Sequence, residues 1–259
     1  MTEKGLAINA AYVEKKLTGF IKREFKKKNF KKAVFGLSGG VDSSLVAFLL
    51  VKALGSKNVT ALFMPYRTTA QESKRDFDAI VKILKIKHKI IPITSMVDCY
   101  FKKFPEADKV RRGNKMARER MSILYDQSKV ENALVIGSGN KTEILLGYAT
   151  LFGDTACAIN PIGSLYKTQI RQLARCIGMP ERIIKKPPTA DLWPGQTDES
   201  EIGITYEEVD KILYLAVDKK YKLPRLVKLG FGKDSIDKIL KRVDKFKYKR
   251  ELPVIGKID

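Results

Sequence analysis

One stretch of the chain has the residue types and spacing to hold phosphate: Gly36-Leu37-Ser38-Gly39-Gly40-Val41-Asp42-Ser43-Ser44. Gly39 and Gly40 lack Cβ atoms, so backbone N–H groups there can approach phosphate oxygens closely. Ser38, Ser43 and Ser44 add hydroxyl donors. A helix that starts at this point directs its positive end at the same place. Asp42 would repel a bare phosphate, and a bridging Mg²⁺ resolves that conflict. The spelling excludes two familiar phosphate loops, because the string has neither Gly-Lys-Ser/Thr nor GxGxxG. A simple capped turn, with Asp42 or Ser38 as the N-cap, is the alternative. The full string at a strand-to-helix junction favours a nucleotide.

The elements that must position this loop alternate along the chain. Lys32–Leu37 reads as a short apolar strand, followed by a helix over Asp42–Leu54 with Leu45, Leu49 and Ala53 on one face. Strands are expected at Val59–Met64, His88–Ile93 and Ala133–Ile136, with helices at Ala70–Leu84 and Lys115–Asp126 between them. Runs that are apolar throughout, separated by helices, predict a doubly wound parallel sheet covered by helices on both faces. Beyond about residue 145 the rhythm changes. Helices are expected at Tyr166–Ile177, Tyr206–Val217 and Asp234–Phe246, with a long Pro-rich loop at 185–200. The expected organisation is a single domain over 1–259, with an α/β core at about 30–165 and a helical C-terminal portion at about 166–259.

Composition narrows the chemistry. Lys and Arg number 50 against 29 Asp and Glu, a formal net charge of +21, which points to a polyanionic partner without choosing one. The three cysteines, Cys99, Cys157 and Cys176, form no CxxC pair, and His88 is the only histidine. A disulfide scaffold, a cysteine zinc site and most histidine-based nucleophilic catalysis are therefore disfavoured. His88, in a run read as an apolar strand, is expected to be structural. No apolar run approaches the ~20 residues needed to cross a bilayer, and the first ten residues lack a signal-like stretch. The expected location is the cytoplasm, with no membrane partner.

The Ser-Gly-Gly-Val-Asp-Ser-Ser string resembles the pyrophosphate-binding loop of the ATP pyrophosphatase family. Its members cleave ATP between the α- and β-phosphates and transfer AMP to a substrate oxygen. They include synthetases of NAD, GMP, asparagine and argininosuccinate, and several tRNA-modifying enzymes, and the loop alone does not choose among them. Further stretches resemble ammonia-dependent NAD synthetases in collinear order. These are Gly113-Asn114 with Ala117–Met121, Gly137–Glu143 with Leu146-Gly147-Tyr148 and Phe152-Gly153-Asp154, Ile159–Gly163 with Leu165–Thr168, and Lys186–Glu199. The resemblance covers about residues 30–250 and implies an adenine nucleotide alpha hydrolase-like fold.

By that resemblance Gly36 to Ser44, Ser138, Lys167 and Thr189 bind ATP, with Thr189 on a flap that closes over the triphosphate. Asp42 and Glu143 are expected to share Mg²⁺, and Lys167 to complete the catalytic set. On their own, Glu143 reads as a helix-dipole residue and Lys167 as a solvated lysine. Arg118, Tyr148, Asp154 and Lys249, the last paired with Arg250, are implied in binding deamido-NAD⁺. The chain departs from the family at Leu151 and Tyr248, and at Thr155-Ala156-Cys157-Ala158, where polar contacts to the nicotinic-acid end are usual.

The expected reaction joins deamido-NAD⁺ to AMP from ATP and then to ammonia, giving NAD⁺, AMP and pyrophosphate. Free ammonia is expected because the synthetase motifs leave no room for an amidase domain. A homodimer is implied by the resemblance. The rival readings are a tRNA-modifying enzyme of the same loop family and a non-catalytic nucleotide-binding regulatory domain. The first would need an RNA-binding module or a catalytic cysteine pair, and the second would fit loss of Asp42 or Glu143. The basic clusters at 26–28, 31–32 and 238–250 are read as solvated faces, so nucleic acid is not the expected partner.

Overall fold

The computed structural model describes residues 5–189, 203–256 and 258. Strands β1 (Lys32–Gly36), β2 (Val59–Phe63), β3 (Lys87–Ile90) and β4 (Ala133–Ile136) form one parallel sheet in the order β3-β2-β1-β4. From β1 the chain steps outward through β2 to β3, then returns to place β4 on the other side of β1. The order thus reverses between β1 and β4. At such a point the loops leaving the two strand ends diverge and open a crevice for ligands. A short piece of chain at Ile159 pairs in parallel with Ile136 and extends the sheet beyond β4.

Side chains alternate across each strand, and both faces are apolar. Ala33 and Phe35 of β1, Ala61 and Phe63 of β2, and Leu134 and Ile136 of β4 join one core. That core is completed by helices α1 (Ala10–Lys27), α2 (Val41–Leu54), α3 (Gln71–Leu84) and a later helix at 167–176. Val34, Leu62, Ala133 and Val135 face the opposite core, formed with α4 (Thr94–Phe101) and α5 (Lys109–Glu131). The sheet is therefore covered on both faces, as its continuous apolar strands predict. Helix α2 buries Leu45, Val46, Leu49 and Leu50, which explains why its residues are apolar around most of the circumference.

A third apolar cluster belongs to the C-terminal half. Here α6 (Lys141–Leu146), α7 (Lys167–Cys176), α8 (Glu181–Lys185), α9 (Tyr206–Leu213), α10 (Leu223–Lys228) and α11 (Lys233–Lys245) follow one another. Leu146 of α6 packs with Tyr166, Tyr206, Val209, Leu213, Leu226, Ile236 and Ile239. The helix expected to run to Val217 leaves α-geometry after Leu213 and ends in a π-turn over Tyr214–Asp218.

Three further differences from the sequence expectation have plain causes. Helix α1 has no counterpart among the expected elements, although Leu17, Ile21 and Phe25 mark its inner face every fourth residue. Helix α5 extends well beyond 115–126, because Asp108 caps its start by accepting the Arg111 N–H and Asn132 ends it in the left-handed region. Strand β3 lies at the sheet edge and is mostly exposed. His88 is on this exposed strand, edge-on to the Phe77 ring, rather than inside an apolar strand. The lysines at 85, 87 and 89 put charge along an edge that would otherwise invite pairing with another chain.

Phe35 is fully buried at the centre of the first core. Phe35→Ala should lower unfolding free energy by about 3–5 kcal/mol, read from urea titration.

Candidate active site

The crevice between β1 and β4 receives three charged side chains from three helix starts. Asp42 lies in the first turn of α2, Glu143 in the first turn of α6, and Lys167 opens α7. The Lys167 ammonium is 2.5 Å from Asp42 Oδ2 and 3.3 Å from Glu143 Oε1. Lys167 is only 2% exposed. Its ammonium also stands 5.4 Å from the centre of the Tyr206 ring. Asn140 orders both acids. Its Nδ2 donates to Asp42 Oδ1 at 2.9 Å, while its Oδ1 accepts the Glu143 N–H at 3.0 Å. Glu143 Oε2 accepts the Asn140 N–H in return, closing a capping box.

The loop before α2 is internally braced. Ser38 N–H donates to Ser43 Oγ at 3.2 Å, Gly40 N–H to Ser38 Oγ at 3.3 Å, and Ser43 Oγ to Gly40 O at 3.2 Å. Gly39 adopts φ +81°, and a Cβ there would lie 2.5 Å from the Ser73 carbonyl oxygen of α3. Only glycine lets the loop sit against α3 in this conformation. A cleft of about 860 Å³ opens above it, lined by Gly36, Leu37, Ser38, Gly40, Val41, Asp42 and Ser43. Gly39 and the fully buried Ser44 stand behind that lining. Ser138, Glu143, Lys167 and Thr189 also line it.

On the side of Thr189, the cleft wall is fastened to α3. Lys186 Nζ lies 3.1 Å from Asp76 Oδ2 and 3.3 Å from Ser73 Oγ, and Arg182 Nε lies 3.1 Å from Asp76 Oδ1. Asp76 and Lys186 are largely shielded from solvent, while Arg182 reaches Asp76 from the exposed side. Residues 190–202, with Trp193 and most of the expected flap, lie outside the described residues.

Arg118, Tyr148, Asp154 and Lys249 line the far end of the same cleft. Arg118 Nε donates to the Leu151 carbonyl at 3.2 Å. The Thr150 N–H donates to Asp154 Oδ1 at 2.7 Å. Lys249 Nζ donates to the Gly147 and Ala149 carbonyls at 2.8 and 2.6 Å, and loss of hydration lowers its pKa below the usual lysine value. Its neighbour Arg250 donates to the Leu145 and Val243 carbonyls at 2.7 and 2.9 Å, and Arg242 Nε to Leu146 at 3.0 Å. Arg242 and Arg250 thus meet the last two carbonyls of α6, and Lys249 those of the turn that follows it. Leu151 and Tyr248 line the cleft, whereas Ala158 lies outside its lining and donates its N–H to Val135 on the sheet extension.

Asn140, Thr142, Lys186 and Asp210 escaped the sequence reading as members of this site. Asp210 is fully buried on α9. Thr142 Oγ1 donates to its Oδ1 at 2.6 Å, and the Thr168 backbone N–H donates to its Oδ2 at 2.8 Å. One signal was available: Tyr206, Val209, Asp210 and Leu213 share a helix face, so a carboxylate falls in an apolar stripe.

A parallel sheet, a glycine- and serine-rich loop at its switch point, and two acids beside that loop together define an α/β protein of the ATP pyrophosphatase class. Comparison with known proteins narrows the class. The model of the NAD synthase family matches residues 13–253. The NH(3)-dependent NAD(+) synthetase of Fusobacterium nucleatum is 51% identical over 253 residues, 98% of each chain. The NH3-dependent NAD synthetase of Campylobacter jejuni, solved with a nitrate ion, has 36% identity and a TM-score of 0.83, covering 97% of this chain and 100% of that one. The NMN synthetase of Francisella tularensis has 31% identity and a TM-score of 0.86, covering 96% and 99%. The chain belongs to the NAD synthase family.

Two outcomes follow for the site. Gly39→Ala should lower stability by about 1–3 kcal/mol by forcing the loop away from Ser73, read by denaturant titration. Burial pushes the Asp210 carboxyl up to about 6, against the pull of its two donors. Its folded pKa exceeds the unfolded one, so its stabilisation is complete below about pH 4 and is lost as pH rises through about 6. Asp210→Asn removes that titration. Its unfolding free energy relative to wild type should therefore rise by about 2–3 kcal/mol between pH 4 and pH 7. A pH-independent difference would contradict this assignment.

Proposed function

We propose that the chain is an ammonia-dependent NAD⁺ synthetase that adenylates deamido-NAD⁺ with ATP and then amidates it. The observation that carries this reading is the meeting of Asp42, Glu143 and Lys167 beside the phosphate loop, in a chain about half identical to an enzyme of that name. In this reading Gly36 to Ser44, Ser138, Lys167 and Thr189 bind ATP. Arg118, Tyr148, Asp154 and Lys249 bind the dinucleotide at the other end of the cleft. The whole chain acts as one domain, with the ATP core at about 30–165 and the helical portion at about 166–259 completing the cleft. We place it in the cytoplasm as a homodimer. Among the described residues, no helix is long and apolar enough to cross a membrane.

The residues present suit Mg²⁺. Asp42 and Glu143 converge on a single cationic point, now the Lys167 ammonium. No cluster of three or more His, Cys, Asp or Glu suited to a metal occurs among the described residues. The protein would thus offer two carboxylates and leave other positions to phosphate oxygens and water, the usual Mg²⁺ arrangement. When bound there, Mg²⁺ would neutralise phosphate charge and polarise the phosphoryl group.

The chain's own residues do the rest. The substrate carboxylate attacks the α-phosphorus of ATP, and pyrophosphate leaves toward the amides and hydroxyls of the Ser38–Ser44 loop. Lys167 meets the charge that develops on the phosphates, and Asn140 holds the Asp42 carboxylate that faces Lys167 in place. Ammonia then attacks the carbonyl carbon of the acyl-adenylate, the acyl C–O bond breaks, and AMP and a proton are released as the amide forms. No side-chain nucleophile is needed. Alignment of the reacting groups and exclusion of water supply the rate.

The test is incubation with ATP, Mg²⁺, ammonium and deamido-NAD⁺, with separation of the nucleotides. NAD⁺, AMP and pyrophosphate in equal amounts are expected. ADP as product, equal activity with glutamine in place of ammonium, or preference for nicotinic acid mononucleotide would overturn parts of the reading in turn. The last arm matters because the Francisella neighbour is named for the mononucleotide product, and because Leu151 and Tyr248 alter the lining at the dinucleotide end. Asp42→Asn should lower kcat by about 100-fold or more while circular dichroism stays unchanged.

A further inference from the structure

We infer that Asp210 is a positioning residue for this reaction, one that sets where Lys167 and Glu143 stand relative to each other. The inference rests on the adenylation reading above. Asp210 lies outside the cleft lining, so its side chain does not meet substrate. Its two oxygens instead hold two different helix starts. Oδ1 receives the Thr142 hydroxyl at 2.6 Å, next to Glu143 in α6. Oδ2 receives the Thr168 backbone N–H at 2.8 Å, next to Lys167 in α7. The Thr142 oxygen in turn accepts the Lys167 backbone N–H at 3.0 Å, which closes the link between the two helices. One turn earlier on α9, Tyr206 presents its ring to the Lys167 ammonium at 5.4 Å.

The surroundings sharpen the point. Asp210 shares its helix with Val209, Ile212 and Leu213, all fully buried. An apolar residue would fill that volume without the cost of burying a carboxylate. What it could not do is accept two donors from separate helices. The carboxylate therefore fixes the spacing of the groups that carry Glu143 and Lys167, and displacement of about an ångström at reacting groups is costly in rate.

The experiment compares Asp210→Asn, Thr142→Val, Thr142→Ser and the Asp210→Asn/Thr142→Val double variant with the wild type. Each is assayed for NAD⁺ formation, KM for ATP and thermal midpoint at pH 7. Asp210→Asn and Thr142→Val should each lower kcat by about 10- to 100-fold, with KM for ATP changed by less than about threefold. The double variant should be no worse than the weaker single one, because one link is broken twice. Thr142→Ser, which keeps the hydroxyl, should restore kcat. Losses that merely follow the unfolded fraction, additive losses, or a Thr142→Ser variant as poor as Thr142→Val would overturn the inference. If Asp210→Asn does not fold, the Thr142 pair decides alone. A wild type that makes no NAD⁺ removes the reaction that Asp210 would serve, whereas an active wild type with unaffected variants sinks Asp210 only.

Discussion

A lysine ammonium buried between two carboxylates governs this structure. Taking such a charge out of water is expensive, and it is tolerated only where partners stand at short range on fixed frames. Lys167 meets that condition with Asp42 and Glu143, which arrive from opposite sides of the sheet reversal. The arrangement requires three helices to begin within a few ångströms of one another. The capping box at Asn140 and the bonds at Asp210 hold those beginnings in place. The sheet order, the glycine turn against α3 and the cations on α6 all serve the same convergence.

That requirement also explains why the chemistry is spread along the chain. Asp42 and Lys167 are 125 residues apart. No local stretch contains a complete site, so the fold must be formed before the charges can balance. The phosphate loop itself is local, being strand, glycines and helix start in succession. It is the part of the site that a reading of residues alone finds most readily.

The sequence accordingly revealed some levels and hid others. The alternation of strands and helices, both-sided burial of the sheet, and the glycine loop with Asp42 were legible, because apolar periodicity and loop spelling are local signals, whereas Glu143 and Lys167 read alone as ordinary helix residues. Roles for Arg118, Tyr148, Asp154 and Lys249 came only through resemblance, and the structure adds that all four line one cleft. Hidden were the relations set by packing. Lys249 and Arg250 look alike in sequence, yet one lines the cleft while the other is directed to the carbonyls of Leu145 and Val243. Asp210 and Asp76 resemble ordinary helix acids until burial and partners are known. His88 seemed interior because its neighbours are apolar, but a strand's place in the sheet order decides exposure, and β3 is at the edge.

The surplus of positive charge is partly used inside the molecule, where Arg242 and Arg250 meet the last carbonyls of α6 and Lys249 those of the turn after it. This has a consequence for how the site assembles. The Leu146 and Leu145 carbonyls, at the end of the helix that presents Glu143, are met by side chains 96 and 105 positions further along the chain. Bringing such distant partners together costs loop-closure entropy that a local cap would not. The end of α6 is thus finished by docking of the C-terminal helices, and loosening that contact would reach Glu143 without touching the glycine loop.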